Sequence, residues 1–292
     1  MNNKKQQHYI WKHYLSPWLK GEKVWCNRSG KIFPTSRDNI GQQRFFYEAE
    51  PLNDFERKLV ISFIKKMHPT SYETSLSTLE IYDVVSRGDQ LTRRNGIEEY
   101  HTSIEHKAEA TIESLWDKDL SWLDNMQSKI DFSRFLGVQY CRTNRGRQSS
   151  SISLREVEAA FPMYTGLFSP DKLSKVLCLL MGDVVGNWIY SSGHFSLLSN
   201  STTLEFITGD QPLFNLDMRG RGKNENAMEF NLFYPISPKL ALLITRDRKE
   251  HKELNIDEVN SYNKFIVSCS HEQLYAKNKE SLLAYLPERK VC

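Results

Sequence analysis

The spacing of apolar positions along this chain changes twice. Near the start, "KVWCNRSGKIF" (23–33) places two short apolar runs around Asn27-Arg28-Ser29-Gly30, which predicts a β-hairpin. In "NDFERKLVISFIKKM" (53–67), Phe55, Leu59, Ile61, Phe63 and Ile64 form a broad apolar face. Asn53 can cap it and Glu56 follows three residues later, so a helix is expected there. Ile97, Ile104, Ala108, Ile112 and Leu115 keep helical spacing over 97–116, and Leu123, Met126, Ile130 and Leu136 do roughly the same over 119–140. Another long helix is expected from Ser169-Pro170, with Ser as cap and Pro in the first turn.

After about residue 194 the pattern shifts to short apolar runs between turn residues. "TTLEFIT" (202–208), "EFNLFYPIS" (229–237) and "LALLITRD" (240–247) read as strands. "DEVNSYNKFIVSCS" (257–270) returns to helix with Asp257 as its cap, and "QLYA" (273–276) is a last strand. Helices in the middle with strands at both ends predict an α+β fold: a central helical region, an N-terminal hairpin and C-terminal strands forming a sheet. No internal repeat is present. "NRGRQSSS" (144–151) and "RGRGKNEN" (219–226) read as loops inside the fold rather than linkers, so one domain is expected over 1–292.

Composition narrows the class only a little. Apolar residues make up 39% of 292, enough for a core, and the net charge of +3 does not by itself point to nucleic acid. Any basic surface has to be local. The five cysteines include no Cys-x-x-Cys pair, which argues against a zinc site or a disulfide framework, and their odd count suits a reducing cytoplasm. The opening "MNNKKQQHYIW" lacks the apolar core of a signal peptide. The most apolar long segment, 173–190, is interrupted by Lys175 and Asp183 and fits a buried helix better than a membrane span, so no membrane partner is expected.

Several polar residues are candidates for chemistry. In "FITGDQPLFNL" (206–216), Asp210 ends an apolar strand and precedes Gln211-Pro212. A sheet could present this carboxylate to a pocket or metal. It could equally be an Asx-type turn former, and on the residues alone the turn reading leads. If Asp210 only forms a turn, Asn should replace it almost silently. His8 is a candidate base or ligand, whereas His13 reads as part of a packed aromatic segment. Glu98 and His101 have Glu-x-x-His spacing, but no second copy exists, so a di-iron site is not expected. A solvated helix face accounts for most of these charges. Glu105 is the exception, because it adjoins the apolar face of Ile104 and Ala108. "QYCRTNRGR" places Gln139, Arg142, Arg145 and Arg147 at a helix end, where guanidinium groups could fork onto phosphates or merely complement the helix dipole. "RGRGK" (219–223) and "RDRK" (246–249) add basic clusters. No phosphate-binding P-loop, Gly-x-Ser-x-Gly or His-Glu-x-x-His motif appears.

Taken in order, "QHYIWKHYLSPW", the hairpin, "NIGQQRFFYE", "QYCRTNRGR", "FITGDQPLF" with "FYPISPKLALLIT", and "EVNSYNKFIVSCSHEQLYA" resemble the bacterial domain-of-unknown-function family 4238 over most of the chain. Members of that family typically open with His-Tyr-Val-Pro and carry a late Thr-Ser-Asp-x-Pro motif. Here Trp11 stands where that family usually has Pro, and Gly209 where it usually has Ser. The resemblance implies recurrent positions at His8, Gln139, Arg142, Asp210 and Pro212, and an association with bacterial mobile or defence-like settings. It implies no settled activity.

These readings combine into one expectation: a nuclease-like enzyme acting on nucleic acid, of the toxin or phage-defence kind. His8, Glu105 and Asp210 would be catalytic. Asp210 and Glu105 would hold a divalent metal, Mg or Mn, and Gln139, Arg142 and Arg145 would grip phosphate. The alternative is a non-enzymatic module that binds nucleic acid or a partner protein of a defence operon. A small-molecule or nucleotide-processing enzyme is a third option.

Overall fold

The computed structural model describes residues 6–218 and 230–286. The basic run at 219–223, the loop expected at 219–226 and Cys292 lie outside the described residues. In chain order the strands are β1 (Gln6–His8), β2 (Val24–Arg28), β3 (Lys31–Thr35), β4 (Gln42–Arg44), β5 (His194–Ser199), β6 (Thr208–Gly209), β7 (Phe214–Asn215), β8 (Leu232–Ser237), β9 (Leu240–Thr245), β10 (Lys252–Glu253) and β11 (Gln273–Ala276). The helices are α1 (Asp54–Ile64), α2 (Pro69–Arg87), α3 (Gln90–Trp116), α4 (Met126–Cys141), α5 (Asn144–Ala160), α6 (Pro170–Ser192), α7 (Ile256–Cys269) and α8 (Lys279–Leu283). The fold is α+β. It divides into two compact units, each assembled from discontinuous segments.

The first unit takes residues 6–9, 42–108 and 130–190 and is mainly helical. Its one small sheet pairs β1 with β4, antiparallel, with Gln7 opposite Gln43. The expected start of α1 is present as a reciprocal capping box. Asn53 Oδ1 accepts from the Glu56 N–H at 2.8 Å, and Glu56 Oε2 accepts from the Asn53 N–H at 2.8 Å. The other oxygen of Glu56 accepts the Ser169 N–H at the start of α6, at 3.0 Å. One buried carboxylate therefore ties two helix starts together.

One helix was not anticipated in the sequence and another replaces an expected loop. α2 shows little apolar periodicity because several positions it buries are Ser71, Ser75, Thr78 and Ser86. Hydroxyl side chains can face a core if they find acceptors, and Thr78 donates to Asp183 on α6 at 2.6 Å. α5 occupies the stretch read as a loop at 144–151. Thr143 supplies its cap, accepting from the Gly146 N–H at 3.2 Å, so the Gly-Arg-Gln-Ser run is helical and not a loop.

α4 and α6 approach backbone to backbone. A Cβ at Gly137 would stand 2.2 Å from the Gly182 carbonyl oxygen and 2.4 Å from the Gly186 nitrogen. α6 is long and apolar enough, by length and composition, to cross a membrane, yet 61% of its most apolar window is buried within the protein. Its buried Asp183 accepts from Thr78 and, at 3.3 Å, from Arg134 on α4.

The second unit takes residues 10–41, 109–129, 191–218 and 230–286 and holds two sheets. One has the order β10-β5-β9-β8-β7, antiparallel except for the β10–β5 pair. The other has the order β3-β2-β11-β6 and contains the expected hairpin, with Cys26 opposite Phe33. Ser29 and Gly30 make its turn at φ +52° and +86°. Phe206, Phe214, Phe233, Val259, Ile266 and Leu274 belong to the core of this unit. α7 starts on Asn255, not Asp257, through a second capping box with Glu258. The strand expected at 202–208 contracts to β6. Its approach is held by a side chain instead of a ladder, as Asn263 Oδ1 accepts the Ile207 N–H at 3.1 Å.

The glycine contact yields a direct test. Gly137→Ala is expected to destabilise the protein by about 1–3 kcal/mol, because backbone atoms on α6 have no free rotamer by which to retreat. Urea unfolding monitored by helical circular dichroism measures the loss.

Candidate functional site

Asp210 lies just past β6 with 1% of its surface exposed. Its Oδ1 accepts the His271 N–H at 2.7 Å, and its Oδ2 accepts the Glu272 and Gln273 N–H groups at 2.6 and 2.9 Å. Its own N–H donates to the Gln273 carbonyl at 3.0 Å. The carboxylate thus clamps the end of α7 and the start of β11 onto β6. Burial raises its carboxyl above the ordinary value, while the three N–H donors oppose the rise. The preceding Gly209 has a local reason: a Cβ there would meet Ser270 Oγ at 2.0 Å. A structural role for Asp210 is therefore not one that Asn can fill, contrary to the expectation from turn chemistry. Asn has one acceptor oxygen, and its NH2 would face N–H donors.

In the first unit the structure brings Glu105, Gln139 and Arg142 together. Arg142, 4% exposed, donates to Glu105 Oε1 at 2.5 Å and to Gln139 Oε1 at 2.8 Å. Gln139 in turn donates to the Tyr9 carbonyl at 3.0 Å. Gln7 accepts the Tyr47 N–H at 2.7 Å, and the Tyr47 hydroxyl donates to the His8 carbonyl at 3.2 Å. His8 itself sits half-buried on β1. Asp210 belongs to the second unit.

Glu98 and His101 were expected on a solvated face, but both are buried, at 9% and 4% exposed. The face of α3 that carries them is polar in sequence because it borders Arg142 and Tyr47, not because it meets water. His101 stands edge-on to the Tyr47 ring with centroids 4.6 Å apart, and its Nδ1 is buried without a hydrogen-bond partner. It lines a cavity of about 30 Å³, room for about one water, together with Tyr47, Tyr82, Arg142, Arg147 and Cys178. Burial, and then the Arg142 charge, push its pKa well below 6.5. Burial also raises the Cys178 thiol to about 11, which makes it a poor nucleophile at neutral pH.

The basic residues of "QYCRTNRGR" separate into two groups. Arg142 follows the last residue of α4, where the dipole favours a cation. Arg145 and Arg147 are the second and fourth residues of α5, at the end where the dipole disfavours one. Arg147 donates to the Phe46 carbonyl at 2.7 Å and lies over the Phe46 ring at 4.2 Å. Arg147 also borders an open cleft of about 390 Å³, with Gln43, Asn144, Gln148, Arg155 and Asp171 among its walls. Asn144, Arg147, Gln148, Ser151 and Arg155 follow helical spacing along one face of α5.

Among the described residues, one group of His and acid side chains has its ligand atoms gathered closely enough for a metal ion, namely His13, Glu109 and Glu113 in the second unit. Neither Glu105 nor Asp210 is in it. Spacing could have flagged Glu109 and Glu113, one turn apart on a helix, but not their meeting with His13.

The fold and these polar networks define an α+β protein of two compact units, each with a buried charged centre. The family described as "Protein of unknown function (DUF4238)" matches residues 6–166 and 169–280, and the chain belongs to it. No curated protein matches the chain, and no solved structure does.

Two outcomes are expected from these environments. Asp210→Asn should lower stability by about 2–3 kcal/mol, since at least one N–H donor to a charged acceptor loses its partner. Thermal and urea unfolding of the variant check this, and a midpoint equal to wild type would remove the clamp role. For His101, the depressed pKa means that the unfolded chain takes up a proton near 6.5 where the folded protein does not. Stability should therefore fall as pH drops below about 6.5, with this residue adding up to about 1.4 kcal/mol per pH unit until its folded pKa is reached. His101→Gln should flatten that part of the curve.

Proposed function

We propose that the protein is a nucleic-acid-binding module whose phosphate-contacting face is the polar side of α5. The observation that carries this reading is the position of Arg145 and Arg147 in the first turns of α5, with Arg147 at the cleft that Arg155, Gln148 and Asn144 also border. Cations at the positive end of a helix gain nothing from its dipole. They become favourable when an anion joins them, because the dipole and guanidinium forks then act on the same phosphate. Successive phosphates of a single strand suit an open cleft better than a closed pocket.

The same geometry favours binding over hydrolysis by the residues first expected to be catalytic. Glu105 Oε1 is taken by Arg142, and both oxygens of Asp210 are taken by backbone N–H groups. Arg142, 4% exposed, is matched by Glu105 and Gln139 and is engaged inside the protein instead of gripping phosphate. A defence-associated nuclease is the second reading. It is favoured by the gathering of His13, Glu109 and Glu113. A partner protein of a defence operon could be recruited in either case.

Fluorescence anisotropy with labelled single-stranded RNA and DNA tests the proposal. Wild type should bind with micromolar or tighter affinity at low salt, and log K should fall linearly with log salt. Replacing the exposed Arg145 and Arg155 together by Ala should weaken binding about tenfold or more and lower the salt slope by about 2, with unfolding midpoints unchanged. Absence of binding to any nucleic acid, or a slope untouched by the double variant, would end this reading.

A further inference from the structure

We infer that His13, Glu109 and Glu113 form a binding site for one divalent transition-metal ion of the zinc type. His13 opens a short 3-10 turn (His13–Trp18), while Glu109 and Glu113 lie one turn apart on α3, so both carboxylates share one helix face. One nitrogen of His13 and one oxygen from each acid all lie within 4.8 Å of one another.

The distances suit a shared ion. His13 Nε2 is 3.1 Å from Glu113 Oε1, yet the atom is buried and its alignment makes no hydrogen bond. Two ligands each about 2.1 Å from a metal stand roughly 3.0–3.4 Å apart in octahedral or tetrahedral arrangements, and the His13–Glu113 pair has that spacing. A neutral imidazole with two carboxylates is a donor set for zinc, iron or nickel, and is poor for magnesium, which prefers oxygen alone.

The site is held in place by its surroundings. The His13 ring packs against two indoles, with centroids 5.1 Å from Trp11 and 5.1 Å from Trp116. Trp116 is itself fixed, its Nε1 donating to the Ile236 carbonyl at 2.9 Å. The packing limits the orientations of the imidazole, so a metal need not order it on binding. Glu113 is 54% exposed at its side chain, which gives an ion a path from solvent. Three protein ligands leave a coordination position for water or for a substrate oxygen, as in catalytic and unlike closed structural zinc sites. This inference does not rest on nucleic-acid binding by α5, since the residues belong to different units.

The two adjoining indoles supply the readout. The full chain, stripped with EDTA and dialysed at pH 7.5, is titrated with Zn²⁺ by calorimetry, and with Co²⁺ while tryptophan emission is followed. One equivalent of Zn²⁺ should bind with micromolar or tighter affinity, and Co²⁺ should quench the emission saturably with the same stoichiometry. Glu113→Gln, at an exposed position, should weaken Zn²⁺ binding at least tenfold. His13→Phe keeps a ring against the indoles while removing the nitrogen, and should abolish both signals with near-ultraviolet dichroism preserved. Mg²⁺ should not compete at millimolar concentration. Absence of saturable Zn²⁺ binding would overturn the inference and leave His13 and Glu113 as an ordinary ion pair. Zn²⁺ binding unchanged in Glu113→Gln and His13→Phe would overturn it equally, by placing the metal elsewhere.

Discussion

A charge removed from water must find its partners among groups that the fold brings close, and this constraint organises both units. In the first unit, Arg142 is met by Glu105 and Gln139, Asp183 by Thr78 and Arg134, and Glu56 by the N–H groups of Asn53 and Ser169. Each set joins different segments: α3 with α4, α2 and α4 with α6, and α1 with the start of α6. In the second unit, Asp210 gathers three successive N–H groups. Such pairs add little net stability over a well-packed apolar replacement, but losing one partner leaves a charge stranded. Their effect is to select one arrangement of helices and strands over others that bury similar apolar area.

The packing of α4 on α6 shows the same preference for fit over bulk. Three glycines let two backbones come nearly into contact, and this approach accompanies the reach of Arg134 to Asp183. An apolar helix with a charge in its middle then has a place in a protein core. Its glycines provide the close approach, and its aspartate has partners on both neighbouring helices.

A buried polar residue in this protein is not, for that reason, a reactive one. Asp210 and Arg142 were singled out in the sequence for chemistry, and both are engaged in joining elements. The residues better suited to an external ligand are less enclosed: the arginines at the first turns of α5, set against the local dipole, and His13 with its two acids, where a nitrogen faces an oxygen without a hydrogen bond.

The sequence by itself determined what depends on residues within about one helical turn. The Asn53–Glu56 capping box, the Ser169-Pro170 start of α6, the 23–33 hairpin and the α+β order were all legible, because caps, turns and apolar faces are local in their physics. The recurrent motif also marked Gln139 and Arg142 as worth attention. Tertiary structure alone decided the rest. α2 buries Ser71, Ser75, Thr78 and Ser86 alongside Leu79, Tyr82 and Val85, so its inward face is mixed and its apolar pattern faint. α5 looked like a loop until Thr143 was seen to cap it. Glu98 and His101 looked solvated, because periodicity cannot say whether a polar residue will find a partner from a distant segment. For the same reason the end of β6 could be read from residues 206–212, while the three N–H groups that hold Asp210 come from 271–273. Whether a side chain is a turn former, a clamp or a ligand depends on what the chain brings to it from far away, and local sequence does not encode that.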